Sequence, residues 1–378
     1  MSEYQYHEWQ TVDRTLTFEE QAQVDNLSSH IEVSSSRAAV TYNWSNFRHD
    51  PKRVLLDYFD AYFYMASWGT LRLMFRFPKG LIDEDAINPY LLEEFVSFET
   101  VGDYQVLDLE YDPEYGEGWI EAGSGLSGFI RLRDDLIEGD YRLLYLAWLK
   151  AMTISEGLVD EYESEIFYSE YEPPVPPGLK KLSPSLKHFV NIFDLDPFLV
   201  KAAAEKSMSQ ASLTPMNYSK LVARLPREES NAFLAALAEG KPGVAPALRK
   251  RLLAFSPKQT PARTEDPRTT RQLEQRAEEL AEVERKRQAE EARKRHIAEM
   301  TALAAREEQA WREVDHLLDN GRKIASVYDD ATVRLKKLEQ LSELQRTEHI
   351  FQRRIRALAV KFANRQALIR RWKNQGWV

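Results

Sequence analysis

Three groups of residues in this 378-residue chain have the types and spacing that chemistry requires. The first is Gly123-Ser124-Gly125-Leu126-Ser127-Gly128, a match to G-x-G-x-x-G. It lies between a predicted strand at residues 119–122 and a predicted helix, where backbone N–H groups and a helix N-terminus can hold a dinucleotide pyrophosphate. Two features favour a plain turn. No second parallel strand ending in an acid follows, and thirteen acids without one Lys or Arg occupy residues 83–121. The roughly half-charge of a helix N-terminus hardly offsets that field.

The second group is Asp108, Glu110 and Asp112, which alternate on a predicted strand and so share one side, with Leu107, Leu109 and Tyr111 on the other. Three convergent carboxylates can hold Mg²⁺. A nuclease-type site also needs a lysine, however, and none lies between Lys79 and Lys150, so the simpler expectation is a solvated strand face or an acidic docking surface. The third group is the basic C-terminal segment. From residue 343 onward nine Lys/Arg face two acids, with Arg353, Arg354, Arg356, Lys361, Arg365, Arg370, Arg371 and Lys373 interleaved among Phe351, Phe362 and Trp372. Such a mixture binds a nucleic-acid backbone, or docks an acidic protein surface.

Other chemistries lack their residues. The seven histidines include no pair at ligand spacing on one helix face, there is no cysteine, and neither a phosphate loop ending in Gly-Lys-Ser/Thr nor a Gly-x-Ser-x-Gly elbow occurs. Catalytic residues, a metal and a cofactor are therefore not expected. The absence of cysteine, of a basic-then-apolar start and of any apolar run near 18 residues predicts a cytoplasmic protein without a membrane span.

These groups sit on elements legible from pattern. Residues 4–9 alternate as a strand, Thr17 and Glu20 form a capping box, and residues 31–44 are rich in strand formers. Asp50-Pro51 reads as a helix start, and the apolar spacing through Val54, Leu55, Tyr58, Phe59, Tyr62, Phe63 and Ala66 predicts one amphipathic helix. Residues 70–77 alternate cleanly, strands follow at 95–100 and 104–111, and helices at 126–137 and 141–154. The predicted class is α+β with a mixed or antiparallel sheet over residues 1–172. Glu172-Pro-Pro-Val-Pro-Pro-Gly-Leu179 reads as a stiff extended connector. A small helical domain at 173–255 follows, opened by Ser183-Pro184, Asp196-Pro197 and Thr214-Pro215, and then a linker at 256–270.

Residues 271–319 lack Pro and Gly and predict one continuous charged helix of about 70 Å, partly coiled coil if it finds a partner. Short basic helices over 320–378 complete the chain. Charge divides along the same line: residues 1–172 hold 34 acids against 12 bases, and the rest 26 against 39. Opposite charge on two parts speaks of partners rather than fold. The expected function is thus a non-catalytic interaction or regulatory component with a protein partner or self-association. A nucleic-acid-associated protein and a nucleotide-dependent enzyme using the glycine turn are the alternatives.

Tyr4-x-Tyr6-x-Glu8-Trp9, the segment from Tyr62 to Arg72 with its Trp68-Gly69-Thr70 turn, and Pro173-Pro-Val-Pro-Pro-Gly178 together resemble a family of uncharacterised bacterial proteins. The resemblance covers mainly the first 255 residues. It implies a bacterial cytoplasmic protein and carries no activity or functional residue with it.

Overall fold

The computed structural model describes residues 4–43, 45–92, 94–112, 125–159, 171–209, 217–241, 243–255, 267–321 and 324–378. Contacts divide the chain into two compact units, Met1–Ala281 and Glu282–Val378.

The first unit is built on seven strands: β1 (Tyr4–Gln10), β2 (Glu32–Val33), β3 (Arg37–Asn43), β4 (Ala61–Ala66), β5 (Leu71–Pro78), β6 (Val96–Val101) and β7 (Tyr104–Tyr111). They form one sheet in the order β2-β3-β1-β4-β5-β7-β6, with every pairing antiparallel. Helices α1 (Phe18–Asp25), α2 (Pro51–Tyr58), the single turn α3 (Glu84–Ile87), α4 (Ile130–Ile137) and α5 (Arg142–Val159) are threaded between and after the strands. The expected α+β class holds, with the sheet antiparallel throughout its described strands.

Both faces of this sheet are covered. On one, Phe63, Leu73, Phe75, Leu107 and Leu109 pack with α4, α5 and the following helices α6 (Pro184–Ile192) and α7 (Pro197–Lys206). On the other, Trp9, Val40, Tyr62, Met74 and Val106 pack with Val24 of α1 and with Val54 and Leu55 of α2. Double coverage explains one correction. The helix expected through Ala66 ends at Tyr58, Phe59 turns extended (φ −124°, ψ 171°), and residues 61–66 become β4. Tyr62 and Phe63 point to opposite faces and are both buried, so an unbroken aromatic run satisfies a two-sided strand as well as a helix. Pairing with β1 and β5 decides between them.

The helix starts follow local chemistry. Glu20 N donates to Thr17 Oγ1 (3.2 Å) while Thr17 N donates to Glu20 Oε2 (2.8 Å), a complete capping box. Asp50, Ser183 and Asp196 accept from Lys52 N, Leu186 N and Phe198 N, each with proline at the first helical position. Thr214-Pro215, like residues 119–122 and Gly123-Ser124, lies outside the described residues. The helices beyond it are α8 (Tyr218–Val222), opened by Asn217, α9 (Arg227–Ala238) and α10 (Val244–Leu253).

The proline-rich segment is packed rather than free. Pro174 O accepts from Tyr90 Oη (2.8 Å), Pro176 O accepts from Ser207 Oγ (2.8 Å), and Glu172 forms a buried ion pair with Arg268 (2.7 Å). An extended chain makes no backbone bonds to itself, so its carbonyls take side-chain donors from neighbouring elements.

The second unit contains the end of α11 (Thr270–Ala304), then α12 (Glu307–Asn320), α13 (Ala325–Gln345), α14 (Glu348–Lys361) and α15 (Gln366–Asn374). The single helix expected over 271–319 is broken at Ala305-Arg306, although neither Pro nor Gly is present. Met300 and Leu303 before the break, and Trp311, Val314 and Leu318 after it, enter one core with Leu335, Ile355 and Trp372. Tertiary burial overrides helix propensity at this point. Residues 285–299 remain exposed and are laced by pairs such as Arg287–Glu291 and Lys294–Glu290. Among the described residues no helix is long and apolar enough to cross a membrane.

Candidate functional site

The strand register disposes of the acidic triplet. Arg72 on β5 lies opposite Glu110 on β7, beside Asp108. Its guanidinium grips Asp108 with two bonds (Nε to Oδ1 2.9 Å, Nη2 to Oδ2 2.7 Å) and reaches Glu110 at 3.2 Å. Lys52 bonds Glu99 and stands 3.7 Å from Asp108, which is only 6% exposed. Asp112 accepts from Thr70 Oγ1 (2.7 Å). Burial pushes the Glu110 carboxyl up, and Arg72 opposes this. Asp108 and Glu110 share one side of β7, but Asp108 is consumed by an internal ion pair and Glu110 is half-buried, so the exposed member is Asp112, just past the end of the strand. Among the described residues no three His, Asp or Glu are grouped closely enough to hold a metal ion.

The described part of the glycine turn, residues 125–128, is occupied from within. Residues 126–128 form a short 3-10 turn whose first N–H, Leu126 N, donates to the buried Glu8 carboxylate (2.7 Å). A Cβ on Gly125 would lie 3.0 Å from Glu8 Oε2, and one on Gly128 would overlap the His188 ring. These glycines therefore admit a close carboxylate and a close imidazole. The anion at this N-terminus is the protein's own, held also by Arg37 Nε (2.5 Å) and Tyr6 Oη (3.0 Å). No parallel strand pair, which a dinucleotide fold requires, occurs among the described strands.

The basic C-terminal residues fall into two sets. Arg354 pairs with Glu308, Lys361 with Asp315 and Asp319 (2.7 Å each) and Arg371 with Asp329 (2.7 Å), while Arg365 donates to Leu318 O (2.5 Å). These four tie α14 and α15 to α12 and α13. Arg353 and Arg356 on α14, and Arg370 and Lys373 on α15, are exposed and form no ion pair among the described residues. The aromatic members of the segment, Phe351, Phe362, Trp372 and Trp377, are all buried in the unit's core and offer no stacking surface.

Sequence spacing gave no hint of a fourth arrangement, in the first unit. A cavity of about 630 Å³ is lined by Arg14, Arg76, Lys79, Lys250 and Tyr104, among others, and by Gly243 and Ala247 at the start of α10. Its floor is a buried charge network. Arg76 donates to Leu56 O (2.6 Å) and to Asp60 (2.7 Å), with its guanidinium 4.3 Å from the Tyr104 ring centroid. Asp60 also accepts from Val12 N (2.7 Å) and Asp13 N (3.1 Å), and Arg133 clamps Asp13 (2.6 Å) while donating to Arg76 O (2.9 Å). Burial of the Asp60 carboxyl raises its pKa, but Arg76, Arg133 and the Val12 N–H outweigh that and hold it below the usual carboxylate range. One sequence signal existed: Arg14, Arg76, Lys79 and Arg133 are four of only twelve Lys/Arg in residues 1–172.

No family model matches the chain, and neither a curated protein nor a solved structure is significantly similar to it.

Proposed function

We propose that this chain is a non-catalytic interaction component of a cytoplasmic assembly, and that its second unit contacts an acidic protein partner. The observation that carries the reading is the division of the C-terminal cations. Four are spent on holding the helices together, while Arg353, Arg356, Arg370 and Lys373 stay exposed and uncompensated. Arg353 and Arg356 lie three apart on α14, and His349 and Val360 continue the same exposed face. Val360, 79% exposed, places an apolar group beside the charges, as a protein contact favours. The units differ in charge: Met1–Ala281 holds 45 acids against 29 bases, and Glu282–Val378 15 against 22. Burial of every aromatic of α14 and α15 removes the stacking platform that a single-stranded nucleic acid uses.

The test is fluorescence anisotropy with the full chain, using a labelled poly-glutamate peptide and a labelled DNA duplex as probes over a range of salt. Binding of the peptide that weakens with salt and is lost in an Arg353→Glu/Arg356→Glu/Arg370→Glu/Lys373→Glu variant supports the reading. Preference for DNA would move the function to nucleic-acid association. Absence of binding to either probe would remove the basis of both.

A further inference from the structure

We infer that the cavity between the Arg76 end of the sheet and the start of α10 binds a small phosphorylated molecule, with Arg14, Lys79 and Lys250 as the cations that receive its phosphate. The three come from separate segments: the loop before α1, the turn after β5, and α10 itself. A tetrahedral dianion takes donors from several directions, whereas a carboxylate needs only one planar fork. The volume, about 630 Å³, falls within the roughly 300–1,000 Å³ of small-molecule sites.

The charges of the floor are matched internally, which leaves those of the rim available. Asp60 is held by Arg76 and Asp13 by Arg133, so neither acid presents unbalanced charge to a ligand. Arg76 is 5% exposed, and its Nε has no hydrogen-bond partner. At the rim Lys79 makes no ion pair among the described residues, and Lys250 donates only to Lys79 O (2.5 Å). Arg14 is paired with Glu20 (2.7 Å) at a partly exposed site, and the exposed Asp103 adds a further opposing charge at the rim. The start of α10 adds donors. Gly243, at φ 74°, is its N-cap, and no side chain caps the helix. In a segment of residues 1–172 with nearly three acids per base, concentrating a quarter of the bases, Arg14, Arg76 and Lys79, around one cavity is a placement that solubility alone does not require.

The site lies wholly within the first unit and is independent of the contact proposed for α14 and α15, so either can fail without the other. The experiment is isothermal titration calorimetry on the full chain with glycerol 3-phosphate, inorganic phosphate, succinate and glycerol. Two variants accompany it. Lys79→Glu/Lys250→Glu reverses two exposed rim charges, and Ala247→Phe fills the space from an exposed position on α10. Circular dichroism establishes that both stay folded. Saturable binding of glycerol 3-phosphate, weaker for inorganic phosphate and at least about tenfold weaker in each variant, is the expected result. Equal or better binding of succinate, binding unchanged in the variants, or no saturable heat with any probe at about millimolar concentration would each overturn the inference.

Discussion

His7 should make the first unit acid-sensitive, and the size of the effect follows from its surroundings. The residue sits on β1 at 5% exposure. Its ring centroid lies 4.6 Å from that of Tyr64, 5.3 Å from Phe47 and 5.8 Å from a stacked Trp9. Nδ1 is 2.9 Å from Tyr62 Oη, and Nε2 has no partner. Burial without a nearby carboxylate disfavours the imidazolium and pushes its pKa down from 6.5 to about 4. Between those values the unfolded chain takes up a proton that the folded chain refuses. Stability is therefore intact above about pH 7 and falls as pH drops through 6.5. The loss is complete near pH 4 at about 3 kcal/mol, of which about 2 kcal/mol has accrued by pH 5. His7→Phe removes the titration but leaves Tyr62 Oη unpaired, at a pH-independent cost of about 1 kcal/mol. Urea unfolding followed by tryptophan fluorescence at pH 7 and pH 5, at constant ionic strength, measures the double difference. The natural chain should lose about 2 kcal/mol more than His7→Phe. A histidine-labelled NMR titration reads the same group directly. Equal pH dependence of the two proteins, or a His7 resonance titrating near 6.5, would refute the reasoning.

Three further perturbations have defined outcomes. Gly128→Ala places a methyl group in the His188 ring, and thermal denaturation should show a loss of about 1–3 kcal/mol; Gly125→Ala, which meets only the tip of Glu8, should cost less. Asp60→Asn leaves the buried Arg76 without its counter-ion and should destabilise the first unit by about 3–5 kcal/mol in chemical denaturation. Trp372→Ala empties the centre of the second unit's core and should cost about 3–5 kcal/mol, whereas Arg353→Ala on the exposed face of α14 should leave the melting temperature unchanged.

How much of this was legible depended on the range of the deciding interaction. The caps at Thr17, Asp50, Ser183 and Asp196 are local, involving a side chain and an N–H two or three residues away, and the sequence shows them directly. The alternation of β5 is equally plain, because Leu71, Leu73, Phe75 and Phe77 share one core. Residues 61–66 carry the spacing of a helix yet form β4, because a strand covered on both faces loses the period that distinguishes it from a helix. The break at Ala305-Arg306 has no local signal at all; it exists because both flanking helices enter one core. Of the candidate sites, the composition displayed the charges but not their partners. Asp108 meets Arg72 only through the β5–β7 register, and Lys361 meets Asp315 and Asp319 only through helix packing. The cavity beside Arg76 draws on positions from 13 to 250, a separation that no motif spacing encodes.

The packing of the proline-rich segment bears on how this protein can be dissected. With Pro174 and Pro176 fastened to Tyr90 and Ser207, and Glu172 locked to Arg268, the stretch behaves as a seam rather than a hinge. Severing the chain there would strip α6 and α7 from the sheet and bare Phe189, Phe193 and Leu199 to water. An acidic fragment ending at residue 172 should consequently aggregate instead of reporting on its own binding, and the shortest dissection that respects the packing retains the chain as far as the opening turns of α11, where Leu273 and Ala277 close the same core.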